Sequence, residues 1–343
     1  MSTPLGVAVI GSGRAGMIHA KSFARMVDDA RLVALADPDP GNLSQAAQEL
    51  RVERTYADHT QLLEDPAVDA VVIVTPTRFH RQIVLDAAHA GKHVFCEKPM
   101  AMTAEECADM VRATQQAGVA LQIGYMRRFD ASFQRAKEMI DAGAIGEVVR
   151  VSSRTHGPSI PQPWMYDLTA SNGPLAEVSS HDIDTLRWLS GTEVAEVHAV
   201  AGNYRSAEAR EQWPDFYDTV LMTSRMANGT IGCVEGAQGV RYGYDARVEV
   251  LGTDGQIDVG DLKANRVVLH QREGRSEADF VPSWRNLFHD AYIAEDRDFV
   301  EAIRSGTEPR VTGVDGLRAV EIVDAGNESI RTGQVVTLEP IEL

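Results

Sequence analysis

The chain has 343 residues, of which 33 are basic and 50 acidic, giving a net charge of −17. That length suggests about two domains, and apolar residues at 44% with charged residues at 24% exclude wholesale disorder. The acidic total speaks against a broad nucleic-acid surface, and no apolar run approaches the roughly 18 residues of a membrane span. In chain order, Leu5 to Ile10 (LGVAVI) predicts a buried parallel strand. GSGRAG follows at Gly11 to Gly16, then a helix from Met17 to Val27 and a second strand from Arg31 to Ala36. A helix near Asn42 to Leu50, a short strand near Thr55 and a helix near Thr60 to Leu63 lead to the apolar run Ala70 to Val74. A helix from His80 to Ala90, a strand at His93 to Cys96, a helix at Ala104 to Ala117 and a strand at Ala120 to Ile123 complete the alternation. Strands alternating with helices predict a doubly wound parallel sheet, and the domain is placed at residues 1–124.

From about residue 145 the pattern changes. Val148 to Ser153 reads as a strand, followed by a Pro-, Gly- and Ser-rich loop from Gly157 to Pro174 and a helix from Ser180 to Leu189. Strand-like segments then recur at Val194 to Ala201, Asp218 to Met226, Thr230 to Glu235, Ala246 to Leu251, Gln256 to Val259 and Arg266 to Leu269. Asn228-Gly229 and Asp254-Gly255 signal hairpin turns. Helices near Phe288 to Ile303 and Gly316 to Thr332 close the chain. Residues 125–343 thus read as an α/β domain with a large, mostly antiparallel sheet.

Gly11-Ser12-Gly13-Arg14-Ala15-Gly16 fits G-x-G-x-x-G with a strand before and a helix after. The first glycine permits the tight turn, the second lets backbone approach a pyrophosphate, and the third lets helix and strand pack closely. The phosphates would meet the free N–H groups of the helix N-terminus. Asp37 ends the next strand, about twenty residues past Gly16, where a carboxylate binds ribose hydroxyls and repels a 2′-phosphate. NAD is therefore favoured over NADP. Thr75-Pro76-Thr77 lies after the third long strand, on the cofactor side of such a sheet; the nearby His80 reads first as a packing or capping residue. Glu97-Lys98-Pro99 also follows a strand, on the same cofactor side, and His80, Glu97 and Lys98 are counted with the glycine turn, Asp37 and Thr75 to Thr77 as candidate cofactor contacts. A lysine there can bond a substrate hydroxyl and stabilise a developing alkoxide, and proline restrains the backbone beside it.

Together GSGRAG, TPTRFH at Thr75 to His80, EKP at Glu97 to Pro99 and SSHDIDTLRWL at Ser179 to Leu189 resemble the Gfo/Idh/MocA oxidoreductase family. Within it, GYMRRFD (Gly124 to Asp130), RYGYD and EVLGTDG (Arg241 to Gly255) and SWRNLFHDAY ending at Tyr292 are most similar to inositol 2-dehydrogenases. The resemblance covers nearly the whole chain. It implies an N-terminal Rossmann dinucleotide-binding domain, a C-terminal α/β domain with a large open antiparallel sheet, and NAD(P)-linked oxidation of a secondary alcohol on a sugar or cyclitol. It puts the family lysine at Lys98 and the family histidine at His181, with Glu177 four residues earlier in place of the usual aspartate.

On those positions His181 suits a general base, since histidine titrates near neutrality. Lys98 would hold the same oxygen, and Glu177 would orient His181 or bind a neighbouring hydroxyl. The first-turn Asp182 reads as a solvated acid and Asp184 as support for the helix start. Inositol enzymes tend to carry a His and Asn pair after the Val148 to Ser153 strand; the matching positions are Thr155 and Gly157, with His156 between. Arg127, Thr155, Tyr242 and Tyr292 are the further substrate contacts expected. The alternatives for Arg127 are a cofactor phosphate or a surface ion pair, and Trp164 in the variable loop is a candidate stacking platform for a sugar ring.

Two substrate classes stay open: a cyclitol or related polyhydroxylated ring, or an amino sugar or aminoglycoside-type compound suited to the carboxylate at Glu177. A non-catalytic NAD-binding regulator is the reading from another class, against which Lys98 and His181 stand. No metal pattern occurs, neither H-E-x-x-H nor a cysteine pair. Cys96, Cys107 and Cys233 fit a reducing compartment, and the N-terminus lacks the charge pattern of a signal peptide, so the expectation is a cytoplasmic protein. The resemblance adds a homo-oligomer, dimer or tetramer.

Overall fold

The computed structural model describes residues 3–343. The chain forms two units, and neither is one continuous segment. The first comprises the chain as far as Phe129, then Asp290–Val320 and Ile341–Leu343; the second comprises Asp130–His289 and Glu321–Pro340. This departs from a single cut after residue 124, because the segment from Asp290 returns its apolar side chains to the first core.

In the first unit six strands form one sheet: β1 (Leu5–Ile10), β2 (Ala30–Ala36), β3 (Arg54–Tyr56), β4 (Ala70–Ile73), β5 (His93–Cys96) and β6 (Leu121–Ile123). Their order is β3-β2-β1-β4-β5-β6, with every pairing parallel. This is the Rossmann arrangement, and its order reverses between β1 and β4, where a crevice opens beyond the strand ends. Helices α1 (Gly16–Arg25), α2 (Pro40–Leu50), α3 (His59–Leu63), α4 (His80–His89) and α5 (Ala104–Ala117) make the crossovers. Strands covered on both faces are apolar throughout, and Val7, Ala8 and Val9 are fully buried.

The second unit holds α6 (Ala131–Asp141), β7 (Val148–Gly157), α7 (Leu168–Ser171), α8 (Gly173–Glu177), α9 (Ser180–Ser190), β8 (Val194–Gly202), β9 (Thr219–Met226), β10 (Ile231–Gln238), β11 (Asp245–Gly252), β12 (Gln256–Val259), β13 (Leu269–His270), β14 (Ser276–Glu277) and α10 (Trp284–Leu287). The chain then runs through α11 (His289–Ser305), α12 (Gly313–Thr332) and β15 (Val336–Thr337). Seven strands form a sheet in the order β12-β11-β7-β10-β9-β8-β15. Only β7 and β10 pair in parallel; the other neighbours are antiparallel. Asn228-Gly229 joins β9 to β10, with Gly229 at φ 92° and the Asn228 side chain accepting from the N–H of Thr230. Asp254-Gly255 turns β11 into β12, closed by Gly252 N–H to the Gly255 carbonyl at 2.8 Å.

Three local expectations give way. Helix α6 was not foreseen: it buries only Phe133 and Ala136, so its apolar stripe is faint, and its start is set by Asp130 accepting from Ser132 and Phe133. β7 continues to Gly157 because β10 and β11 flank it on both sides. The strand expected at Arg266 to Leu269 shrinks to the two-residue, exposed β13 paired with β14. Among the described residues no helix is long and apolar enough to cross a membrane.

The returning segment is part of the first core. Phe299 and Val300 of α11 join Val7, Val9, Phe23 and Phe95 in one cluster, and the Phe299 ring meets Phe95 edge-on with centroids 5.8 Å apart. Phe299→Ala should therefore cost about 3–5 kcal/mol and lower the chemical-denaturation midpoint of the first unit. A loss under about 1 kcal/mol would show that α11 does not complete that core.

Candidate active site

The glycine turn is built by backbone contact. Gly11 has φ 96°, and a Cβ there would lie 2.5 Å from the Val74 carbonyl oxygen at the end of β4. A Cβ on Gly16 would lie 1.8 Å from the Gly11 carbonyl oxygen, whereas one on Gly13 would meet nothing within 4 Å. Gly11 and Gly16 thus allow β1, β4 and α1 to close on one another, while Gly13 and Arg14 stay exposed at the rim and Ala15 leads into α1.

Asp37 stands just past β2 and is buried. Its Oδ2 accepts from the backbone N–H and the hydroxyl of Ser12, at 2.7 and 2.8 Å, and its Oδ1 accepts from the N–H of Asp39 at 2.9 Å. The carboxylate is thereby fixed against the glycine turn. Thr75, Pro76 and Thr77 follow β4, with Thr77 buried and Pro76 exposed. His80 is buried, its two ring nitrogens 2.9 Å from the Pro99 carbonyl and 2.8 Å from that of Thr75. It ties together the loops after β4 and β5, and burial holds its pKa below the usual imidazole value against the pull of those carbonyls. A dinucleotide fits this edge: a tight turn, an open rim at Gly13, a helix N-terminus and a fixed carboxylate.

Lys98 follows β5 and is half-buried. Glu97 turns inward instead: its Oε1 lies 3.2 Å from His19 Nε2, and its Oε2 accepts from the Lys98 N–H at 2.9 Å. Arg127 and Tyr292 are also inside the first unit. Arg127 is 1% exposed, which overturns the surface ion pair; it lies in a short 3-10 turn, Met126–Phe129, packed among buried neighbours. Tyr292 on α11 meets the His19 ring edge-on, with centroids 5.6 Å apart.

In the second unit Glu177 ends α8 and His181 lies in the first turn of α9, with His181 6% exposed and Glu177 half-buried. Two glycines of β10 let this region lie flat on the sheet. A Cβ on Gly236 would come 2.3 Å from Ser179 Oγ, and one on Gly232 would come 2.2 Å from Leu186. Every residue from Ser180 to Arg187 is buried as a result. Asp182 is therefore not a solvated acid: it is fully buried and its Oδ1 accepts from the Ser153 hydroxyl at 2.6 Å. Asp184 is buried too, 3.9 Å from Arg187.

Thr155 shares the buried face of β7 with Ser153. Tyr242 bonds to His156 at 2.5 Å and to Asp245 at 3.4 Å, so it keeps company with the strand position that alternates away from Thr155. Trp164 is partly exposed in a short 3-10 turn, Pro163–Tyr166.

The sequence reading passed over the group behind Glu97. His19 Nδ1 lies 2.7 Å from Asp296 Oδ1, and Glu295 is fully buried next to it. Burial would lower the His19 pKa, but Asp296 and Glu97 outweigh it and hold it well above the usual imidazole range. Burial, then the charge on Glu97, pushes Glu295 well above the usual carboxylate range. His19 lies three residues past the glycine motif, which is the one signal the sequence offers for it.

Residues 5–125 match the oxidoreductase family with an NAD-binding Rossmann fold, and residues 133–258 match the GFO/IDH/MocA C-terminal domain. The chain is 37% identical over 332 residues to the scyllo-inositol 2-dehydrogenase (NAD(+)) of Bacillus subtilis strain 168, covering 97% of this chain and 96% of that one. It is 34% identical over 337 residues to the myo-inositol 2-dehydrogenase of Thermotoga maritima, covering 98% and 99%. The scyllo-inositol dehydrogenase of Lactobacillus casei, solved with NAD(H) and scyllo-inositol, superposes with a TM-score of 0.89 at 27% identity over 97% of this chain and 99% of that one. The chain belongs to the Gfo/Idh/MocA oxidoreductase family. It is an NAD-dependent dehydrogenase.

If Asp37 selects the ribose, Asp37→Ala should weaken NAD binding and reduce the preference for NAD over NADP by at least about tenfold, one carboxylate–hydroxyl contact being worth roughly 1.5–3 kcal/mol. Calorimetric titration with both dinucleotides measures this. An unchanged ratio of the two dissociation constants removes Asp37 from ribose recognition.

Proposed function

We propose that this dehydrogenase oxidises one secondary alcohol of a cyclitol to the ketone, in the manner of an inositol 2-dehydrogenase. The observation that carries this reading is the similarity to inositol dehydrogenases along nearly the full length of both chains. It is favoured over the amino-sugar reading, which rests on Glu177, on Thr155 and Gly157 at the positions of the usual His and Asn, and on the acidic total, and over a non-catalytic regulator, which has no use for both Lys98 and His181.

In this reading His181 accepts the proton of the substrate hydroxyl. Histidine is poised to do so near neutral pH, and its place on a buried helix turn holds it in one orientation. Lys98 donates a hydrogen bond to the same oxygen and stabilises the charge that grows there as the proton leaves. Glu177, one methylene longer than the family aspartate, orients His181 or accepts from a neighbouring ring hydroxyl. Thr155 and Arg127 are further contacts for the polyhydroxylated ring, with Tyr242 and Tyr292 as lining. NAD, when bound, would supply the hydride acceptor for the carbinol hydrogen; Gly11 to Gly16, Asp37 and Thr75 to Thr77 are the residues that would hold it.

Lys98→Ala should reduce NADH formation from scyllo- or myo-inositol at least about 10²-fold, as for loss of an oxyanion donor, while NAD still binds. The rise of NADH absorbance reads the first and calorimetry the second. Retained turnover removes Lys98 from the chemistry. A wild type that binds NAD yet leaves a full panel of cyclitols untouched overturns the substrate reading, and selective turnover of amino analogues replaces it.

The reading includes a homo-oligomer, dimer or tetramer. Helices cover one face of the seven-stranded sheet; on the other, Val200 and Leu221 are paired neighbours of β8 and β9, 56% and 44% exposed. Adjacent exposed aliphatic residues on a sheet face suit a partner surface. Light scattering at micromolar concentration should give at least twice the 37.4 kDa chain mass, and a monomer would contradict it.

A further inference from the structure

Behind the glycine turn and Lys98, the first unit encloses a polar cluster to which the reaction above gives no role. His19 comes from α1, Glu97 follows β5, and Glu295 and Asp296 are neighbours on α11. His19, Glu295 and Asp296 are 0% exposed and Glu97 6%. Phe95 and Tyr292 pack their rings against His19, and Gln122 of β6 donates to the Glu295 backbone carbonyl at 2.9 Å.

An imidazole placed between two carboxylates donates to both only when it is protonated. His19 has this arrangement, with Asp296 at 2.7 Å and Glu97 at 3.2 Å. Neither carboxylate oxygen of Glu295 meets a donor, so its ionised form would be a buried charge without a partner. Such a group keeps its proton. His19 then stands between Asp296 and Glu97, and Glu97 is bonded directly to the peptide N–H of Lys98 at 2.9 Å. The Glu97 carboxylate lies close against Gly124, where a Cβ would come within 2.9–3.1 Å of its atoms and does not fit.

We propose that Glu97 is a positioning residue: braced from behind by His19 and Asp296, its carboxylate fixes the backbone from which the Lys98 side chain departs. This rests on the role given to Lys98 above. With its N–H held by Glu97 and its carbonyl side restrained by Pro99, Lys98 retains only its side-chain rotations. Misplacement of a reacting group by about 1 Å can cost roughly 10²-fold in rate, so a long, flexible ammonium gains most from a fixed root. The atoms of His19, Glu97 and Glu295 also lie within 4.8 Å of one another; a metal ion there would have to displace the Nε2 proton of the doubly donating imidazolium.

The test compares the full-length wild type with Glu97→Gln and Glu97→Ala, reading kcat and KM with NAD and the best cyclitol, and the exchange rate of the Lys98 amide hydrogen. Gln keeps an oxygen for the Lys98 N–H and can offer its NH2 to a neutral His19. It should keep at least a third of the wild-type kcat and the slow exchange. Ala should lower kcat about 30- to 100-fold with both KM values within about threefold, and should speed exchange at Lys98 at least tenfold. Should the Ala variant fail to fold, His19→Gln leaves the carboxylate present but unbraced, and a kcat about tenfold down at unchanged KM is expected. A folded Glu97→Ala enzyme with wild-type kcat, or equal losses in the Gln and Ala variants, overturns the proposal. So does a metal ion that copurifies in stoichiometric amount and whose removal lowers kcat. A wild type inert toward cyclitols would strike the functional reading instead, and the exchange rates would still decide the anchor.

Discussion

The coenzyme edge of the first unit depends on one backbone contact, the approach of Gly16 to the carbonyl of Gly11, where no side-chain carbon fits. That contact fixes where α1 begins relative to β1 and so where its unsatisfied N–H groups point. Parallel pairing does the rest. β2 and β4 flank β1, so Asp37 and Thr75 to Thr77 arrive at the same edge without any long-range side-chain contact to guide them. The bonds from Ser12 to Asp37 then lock the carboxylate to the turn. Chemistry at this edge follows from geometry that glycine and strand order impose.

The second unit uses the same device with a sheet in place of a strand. Gly232 and Gly236 flatten β10, and α9 sinks onto it until even its polar residues are enclosed. Burying polar groups is costly unless each finds a partner, and Ser153 supplies one to Asp182. In exchange His181 is held on a rigid element. The first unit carries a comparable cost in its enclosed cluster, where His19 stands between two carboxylates and a third stays neutral. Both units place ionisable groups inside the protein at the points where the candidate catalytic residues emerge.

Much of the fold could be read from the chain because its signals are local. Five apolar strand segments of the first unit, the glycine motif and the two hairpin dipeptides report their surroundings within a few residues, and the structure agrees with them. Where the decisive contact is distant, the pattern is silent. Asp182 looks like a first-turn surface acid until β7 is laid over it. Arg127 looks like a surface cation until the whole first unit closes around it. His19 and Asp296 are 277 residues apart, and nothing in either neighbourhood announces the other. Helix α6 escaped notice for the opposite reason: its local signal is real but carried by only two buried side chains. For the site residues, the resemblance to a family supplied positions that periodicity does not, Lys98 and His181 above all.

The return of α11 to the first core sets an order on synthesis. A ribosome delivers the glycine turn and all six parallel strands long before it delivers Phe299 and Val300, which lie in the same apolar cluster. A nascent chain at that stage carries a nucleotide-binding edge over an unfinished interior, with exposed apolar surface of the kind that chaperones recognise. Closure of the apolar cluster beneath the coenzyme edge thus waits for the late segment that carries Phe299 and Val300.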